Sequence, residues 1–497
     1  MPLAVSSTDQ LKEKCGVFGI IGQNFGDNTG LEAARLTFYG LWALQHRGQE
    51  SSGIVSSDGN NLHRHAAQGL VATVYREEDL EQLPGHIAIG HNRYSTSGGN
   101  DDLYNQPFVD NKHNIALGHN GNLPDTSMLE EFLEGRGIRL KELNDSSMMA
   151  AAISCYMDDG MDFPTAIQKA WPLFTGAFSI VGMNKDSIVA FRDECGIRPL
   201  SIGTFDGGYV VASETCAFDT IGAEFVRDVE PGELVVITEN ELTSFQVAKP
   251  NLKLDIFEMV YFARPDSLLL NKRVDIVRQD FGRQMAKEFP IDADVIVPVP
   301  DSGIPAALGY SQVSGIPFEM ALIKNRYIHR TFIRPTEQLR ERDLKMKLNP
   351  VIDLLKDKRV IVVDDSIVRG TTMRHLVAML FEAGAKEVHL LITCPPVRHP
   401  DFYGINTPKQ TELMAAYMTV EEMRQQFRAT SLHYLSFEGM INATGLPEST
   451  FNNSCFNGDY PISIGKQAQE IVILKPGEKL PRSKYKKVEL ASAKARS

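Results

Sequence analysis

Between Cys15 and Pro250 the chain is a succession of short apolar runs: GVFGIIG, HIAIGHNRYS, NIALGHNGNL, AFSIVGM, SIVAFRD, YVVASE and ELVVIT. Runs of this length, closed by Gly, Asn, Asp and Ser, read as strands of stacked sheets. Helical spacing of apolar positions interrupts them at about 29–45, 128–134 and 146–156, which predicts an α+β layered domain. From about Ile256 the rhythm changes. VIVPVP, FEMALIK, RVIVVDD and EVHLLIT now alternate with helical stretches, among them 276–289 and 372–383. That βαβ alternation predicts an α/β domain with a mostly parallel sheet.

Composition narrows the class. A chain of 497 residues has room for two or three domains, and 43% hydrophobic with 23% charged residues is a globular balance. A net charge of −12 argues against general nucleic-acid or membrane-surface binding, so an anion site here needs a local basic patch. No run approaches the ~20 apolar residues of a membrane span, and residues 1–14 lack the apolar core of a secretory signal. Six cysteines without a CxxC pair read as reduced thiols of a cytoplasmic protein. Residues 471–497 read as a basic, flexible tail: from Lys475 onward there are eight Lys/Arg against two Glu.

The sharpest chemistry lies in RVIVVDDSIVRGTTMRHLVAMLFEAGA, Arg359 to Ala385. A buried strand ends in Asp364 and Asp365, where parallel sheets place ligands. A turn of small and hydroxyl residues follows, then a helix stopped by Gly384. The turn's N–H groups and the helix N-terminus can cradle a phosphate. The carboxylates can accept from sugar hydroxyls or help to hold a divalent metal. A plain strand–turn–helix with capping acids is the bland alternative, and adjacent acids before S-x-x-x-G-T-T speak against it. VPVPDSG (Val297–Gly303) ends a second strand in a turn suited to another anion, with Ser302 able to assist the metal. Lys324–Lys347 carries eight Lys/Arg against three acids in an acidic chain. Such a run is usually a solvated face; beside a phosphate motif it reads as a flap over pyrophosphate, with Lys324 and Arg330 as its contacts.

The stretch from Arg359 resembles the phosphoribosyl pyrophosphate (PRPP) motif of type I phosphoribosyltransferases. The resemblance implies that Asp364 and Asp365 hold ribose hydroxyls and Mg²⁺. It gives the 5-phosphate to Ser366, Ile367, Val368, Arg369, Gly370 and Thr371.

The first half carries a second resemblance. KEKCGVFGIIG, LQHRGQESSGI, GHNRYSTSG and GHNGNL, in that order, are similar to the class II glutamine amidotransferases, which are N-terminal-nucleophile hydrolases of αββα layered fold. Each piece is weak alone, since a histidine or an HNGN turn is more often structural. In that family the nucleophile's own α-amino group, of pKa about 7.7–8.0, takes the thiol proton. The resemblance therefore implies that residues 1–14 are a propeptide and Cys15 the nucleophile. It implies an oxyanion hole from the Asn120 side chain and the Gly121 N–H. Arg93 would fork onto the glutamine α-carboxylate, Arg47 would lie in the same pocket, and Asp145 would bind the α-ammonium. The family commonly has a second acid two places after that aspartate; this chain reads N-D-S-S-M.

Together the halves, 15–250 and 251–470, resemble the glutamine-dependent PRPP amidotransferases, which open purine synthesis. Their reaction takes L-glutamine, PRPP and water to 5-phosphoribosylamine, glutamate and diphosphate, with ammonia crossing a closed channel. VYFARPDS, with Tyr261 and Arg264, is the expected coupling segment. The family also implies homotetramers and feedback by purine nucleotides. A PRPP-sensing regulator without catalysis is the rival from another class, and it would not need Cys15, Arg93 and Asn120 together. One branch of the family holds a [4Fe–4S] cluster on four cysteines: before YFARPDS, in HPCFYG and in CxxCF. Here Asp401 and Asn452 stand at two of those places, Cys455 at one, and no cysteine lies between Cys216 and Cys394. The expectation is Mg²⁺ and no iron–sulfur cluster.

Overall fold

The computed structural model describes residues 15–23, 25, 32–94, 104–325, 348–405, 407, 409–475 and 477–481. Among these, the first half builds two antiparallel sheets. The seven-stranded sheet runs in the order 224–228, 201–205, 208–212, 16–21, 87–93, 51–57, 62–68; the six-stranded sheet runs 242–246, 233–237, 188–192, 175–183, 115–125, 108–110. Val17, Ile21, Ile89, Val181, Ile188 and Val235 fill the space between them. Burying side chains of this size contributes about 1.5–3 kcal/mol each, which fixes the strand register. The helix Ala33–Ala43 packs outside the first sheet through Leu36 and Leu41. The helices Ser127–Gly135, Asp145–Asp158 and Phe163–Ala170 cover the second through Leu129, Leu133, Ile153 and Ile167. The layers are αββα, as expected.

The second half holds a parallel sheet in the order Val295–Pro298, Arg359–Asp364, Glu387–Ile392, Ser431–Tyr434. The helices Val274–Glu288, Gly303–Ser314 and Thr371–Glu382 flank it. The chain leaves the antiparallel sheets after Gln246 and first pairs with the C-terminal half at Leu254–Asp255, beside Phe451–Asn452.

Two expectations need correction. FEMALIK is not a strand of the main sheet. Phe318 makes one parallel bridge to Ile296, and only Leu322–Lys324 forms a strand, in a hairpin with Leu348–Pro350. The alternation was genuine, with Leu322 buried and Ile323 exposed, but it belongs to a two-stranded arm. Nor is the tail loose from 471. Leu474 and Leu480 are buried, and Arg398 donates to the carbonyls of Lys475 and Glu478. Two apolar side chains anchor a segment whose charge suggested solvent. The tail beyond 481, like the expected propeptide 1–14 and the expected flap contact Arg330, lies outside the described residues.

Candidate active site

Cys15 stands immediately before the strand Gly16–Ile21, and that strand's neighbour ends in Asn92 and Arg93. The facing sheet contributes Asn120 and Gly121 from Ile115–Asp125. The expected nucleophile, carboxylate fork and oxyanion donors thus meet where the two sheets face each other. The Cys15 thiol is partly buried and donates to the Tyr94 carbonyl at 3.8 Å. Burial pushes it up to about 11, against the opposing pull of that contact and of Arg93. A thiol so placed needs a base at its own backbone nitrogen, which an amide cannot be.

Two buried atoms wait for partners. Arg93 Nη1 and Asn120 Oδ1 have no hydrogen-bond partner among the described residues. A buried guanidinium nitrogen left open fits an incoming carboxylate. Gly121 has φ +155°, and a Cβ there would lie 2.0 Å from the Ala177 carbonyl oxygen, so only glycine fits. Asp145 opens its helix, accepting from the N–H groups of Leu123 (3.1 Å) and Ser146 (2.8 Å). It also acts on the Cys15 thiol electrostatically, which places it at the pocket despite the missing second acid.

Arg47 departs from its expected place as a glutamine contact. Its guanidinium is buried between Glu214 and Glu258, and its Nε donates to the Cys15 carbonyl at 3.2 Å. With both faces of the fork taken, it holds the nucleophile's backbone rather than the substrate. Burial works to raise the Glu214 pKa, but His46 and Arg47 hold it well below the usual carboxylate range. Glu214 also accepts from the Arg264 N–H (2.8 Å) and the Ser267 hydroxyl (2.6 Å), and Arg264 Nη1 donates to Ala43. The segment expected to couple the halves is therefore bonded to the first half at its arginine and its Ser267, and through Glu258 just before it. The chain there forms a single π-helical turn, Glu258–Phe262, in which Tyr261 packs edge-on against Phe262.

At the second site the turn after Asp364 runs into the N-terminus of Thr371–Glu382. Ile367 and Val368 bury their side chains, leaving backbone for a ligand. Arg369 pairs with Glu412 at 2.9 Å, so it too offers backbone rather than its charge. Ser302 donates to Asp365, and Lys324 reaches Asp301 at 2.8 Å, which brings the VPVPDSG turn and the flap's root together. Burial, and for Asp364 the neighbouring Asp365 charge, pushes both carboxyls upward. Two adjacent carboxylates so strained fit a small divalent cation. Mg²⁺ takes one or two carboxylates plus substrate phosphates, not a closed protein cage.

Sequence reasoning missed two residues. Ser213 accepts from the Val17 N–H at 3.0 Å and from the Asn120 amide at 3.5 Å, tying nucleophile strand to oxyanion side chain. Arg278 is buried, donates to the carbonyls of Met259 (2.8 Å) and Ala263 (2.9 Å), and feels the charge of Asp365. Burial lowers its pKa to about 10. An arginine on the apolar face of a helical pattern was the one available signal.

Comparison with known proteins finds the same two domains. Residues 91–220 match the glutamine amidotransferase domain and residues 271–403 the phosphoribosyl transferase domain. The amidophosphoribosyltransferase of Synechocystis is 49% identical over 470 residues, covering 93% of this chain and 94% of that protein. That of Bacillus subtilis is 43% identical over 462 residues, covering 91% and 95%. The chain belongs to the amidophosphoribosyltransferase family. The glutamine PRPP amidotransferase of B. subtilis, solved complexed with ADP and GMP, superposes with a TM-score of 0.84 at 42% identity, covering 91% of this chain and 98% of that one.

In this amidophosphoribosyltransferase the places where one branch of the family holds its cluster are buried. Asp401, Asn452 and Cys455 are all buried, as is Asp255 in the segment before YFARPDS. Arg198 pairs with Asp255 at 2.7 Å and lies 3.8 Å from Asp401. Burial pushes the Cys394 and Cys455 thiols well up, keeping them protonated. A cluster of this kind is held by four cysteine thiolates, and a salt-bridged carboxylate and an amide at two of its places do not fit one. Protein purified anaerobically is expected to be colourless near 400 nm. About four iron and four acid-labile sulfide per chain would overturn this.

Proposed function

We propose that the chain makes 5-phosphoribosylamine from PRPP with ammonia cut from L-glutamine, at two sites joined through 258–267. The observation that carries this is the convergence of Cys15, Arg93, Asn120, Gly121 and Asp145 at one end of two facing sheets, in a chain that also bears the Asp364–Thr371 loop. In the reaction the freed α-amino group of Cys15 takes the thiol proton and the thiolate attacks the amide carbon. The developing oxyanion is held by Asn120 and Gly121. Arg93 and Asp145 orient the amino-acid end. Loss of ammonia leaves a thioester that water hydrolyses to glutamate. Ammonia then meets C1 of PRPP, and diphosphate leaves. The residues for Mg²⁺ are Asp364, Asp365 and Ser302, and the bound ion would neutralise the leaving diphosphate. The reading of 324–347 as a flap gives Lys324 and Arg330 to the diphosphate.

Regulation follows the same kinship: the B. subtilis enzyme was solved complexed with ADP and GMP. Purine nucleotides are therefore the proposed feedback ligands here, in a cytoplasmic homotetramer. No described helix is long and apolar enough to cross a membrane.

Purified protein given glutamine, PRPP and Mg²⁺ should release glutamate and diphosphate in equal amounts. Intact mass should show the active species beginning at Cys15. Activity from a species that still carries residues 1–14 would refute the role given to the α-amino group.

A further inference from the structure

Gly121 is closely approached from outside its own domain. A Cβ built on Gly404 would lie 3.3 Å from the Gly121 carbonyl carbon and 3.4 Å from its Cα and oxygen. Gly404 has φ +114°, so a side chain there is strained as well as crowded. The turn that carries it, 401–405, follows the strand Glu387–Ile392 of the acceptor half. The Asp401 carboxylate closes the turn by accepting from the N–H groups of Tyr403 (2.9 Å) and Ile405 (2.8 Å). The Asn122 side chain, next to Gly121, donates to the Phe402 carbonyl at 2.7 Å. Arg198 of the glutaminase half donates to the Tyr403 carbonyl at 3.0 Å while pairing with Asp255 and Glu258. The Tyr403 hydroxyl accepts from the Ile462 N–H at 3.1 Å. The strand bearing Asn120, Gly121 and Asn122 is therefore paired with Thr175–Met183 and, at Gly121 and Asn122, met by a turn of the other domain.

We propose that the turn 401–405 is a positioning element for the oxyanion hole, with Gly404 as its spacer and the Asn122–Phe402 bond as its tether. This rests on reading Gly121 as an oxyanion donor. Such a donor acts only if it is aimed within a few tenths of an ångström before charge develops. A Cβ at Gly404 pushes on the backbone that carries the donor. Among the described residues Arg93 and Asp145 make no hydrogen bond or ion pair to the turn, and Asp145 meets the strand at the Leu123 N–H. The effect therefore falls on kcat for glutamine and not on KM.

The test uses the mature full-length chain with Gly404→Ala and, separately, Asn122→Ala, which adds no bulk. Glutaminase kcat and KM, ammonia-dependent transfer to PRPP, and the rate of Cys15 alkylation by iodoacetamide are measured for each. Gly404→Ala should lower glutaminase kcat by about 10-fold or more and Asn122→Ala by about 3-fold or more, against about 10²–10³-fold for losing a whole oxyanion donor. KM, alkylation and ammonia-dependent transfer should stay within about two-fold of the parent in both. Unchanged glutaminase kcat in the folded variants overturns the proposal. So does a rise in KM at constant kcat, or an equal loss of ammonia-dependent transfer. If Gly404→Ala does not fold, Asn122→Ala decides. Glutaminase activity surviving Cys15→Ala would instead sink the underlying reading, whatever Gly404 does.

Discussion

Cys15→Ala is expected to abolish glutamine-dependent product formation, by at least about 10³-fold, while transfer from added ammonia stays near the parental rate. In the proposed mechanism the thiol supplies the covalent step. Burial has already pushed it up to about 11, so the pocket is built to release it only with a base at hand. The PRPP loop sits on a different sheet, at the end of Arg359–Asp364, and does not touch Cys15. The substitution removes one sulfur from a partly buried position, so the fold should tolerate it. Steady-state assays with glutamine and with ammonium chloride, run on the same preparation, make the comparison. An equal fall in both would mean that Cys15 serves the structure or the second site.

Asp364→Asn combined with Asp365→Asn is expected to do the reverse. Glutamine hydrolysis should persist and transfer to PRPP should fall by about 10²–10⁴-fold, from either nitrogen source. Each lost charge-assisted contact is worth about 1.5–3 kcal/mol, and two of them span that range of rates. Misfolding is the obvious confounder, and the electrostatics separate it. The two carboxyls lie side by side in a buried place that disfavours their charge. A fold that raises an acid's pKa is destabilised by its ionisation, so neutral amides should leave the melting temperature equal or higher. Lost transfer at an undiminished melting temperature supports the assignment. Near-parental transfer kinetics would refute it.

Much of this was legible in the chain itself, for identifiable reasons. Strands such as Gly16–Ile21 and Arg359–Asp364 are buried along their length and rich in Val and Ile, so the apolar runs announced them. Ser51–Ser57 is equally buried but reads SSGIVSS, and its serines hide a central strand. Ser431–Tyr434 was too short and polar to notice, yet it completes the parallel sheet. The chemical residues were legible because their motifs are local. What was not legible is what the same residues do across the chain. Arg47 sits within LQHRGQE like a pocket residue, but its partners Glu214 and Glu258 are 167 and 211 positions away. Nothing local could show that its charge is already taken, or that Gly404 lies against Gly121.

The buried arginines at the joint also bear on how the molecule holds together. Two domains with separate cores ordinarily can melt one at a time. Here Arg47 and Arg198 sit on the glutaminase side, essentially without solvent exposure, and spend their charge on Glu258, Asp255 and Asp401 of the acceptor side. Pulling the halves apart would take Glu258 from Arg47, which keeps Glu214, and would leave Arg198, Asp255 and Asp401 without these partners. Removing the partner from one buried pair costs about 3–5 kcal/mol, a large part of the 5–15 kcal/mol that holds a typical protein folded. The charges at the joint therefore favour keeping the half that releases ammonia docked on the half that uses it.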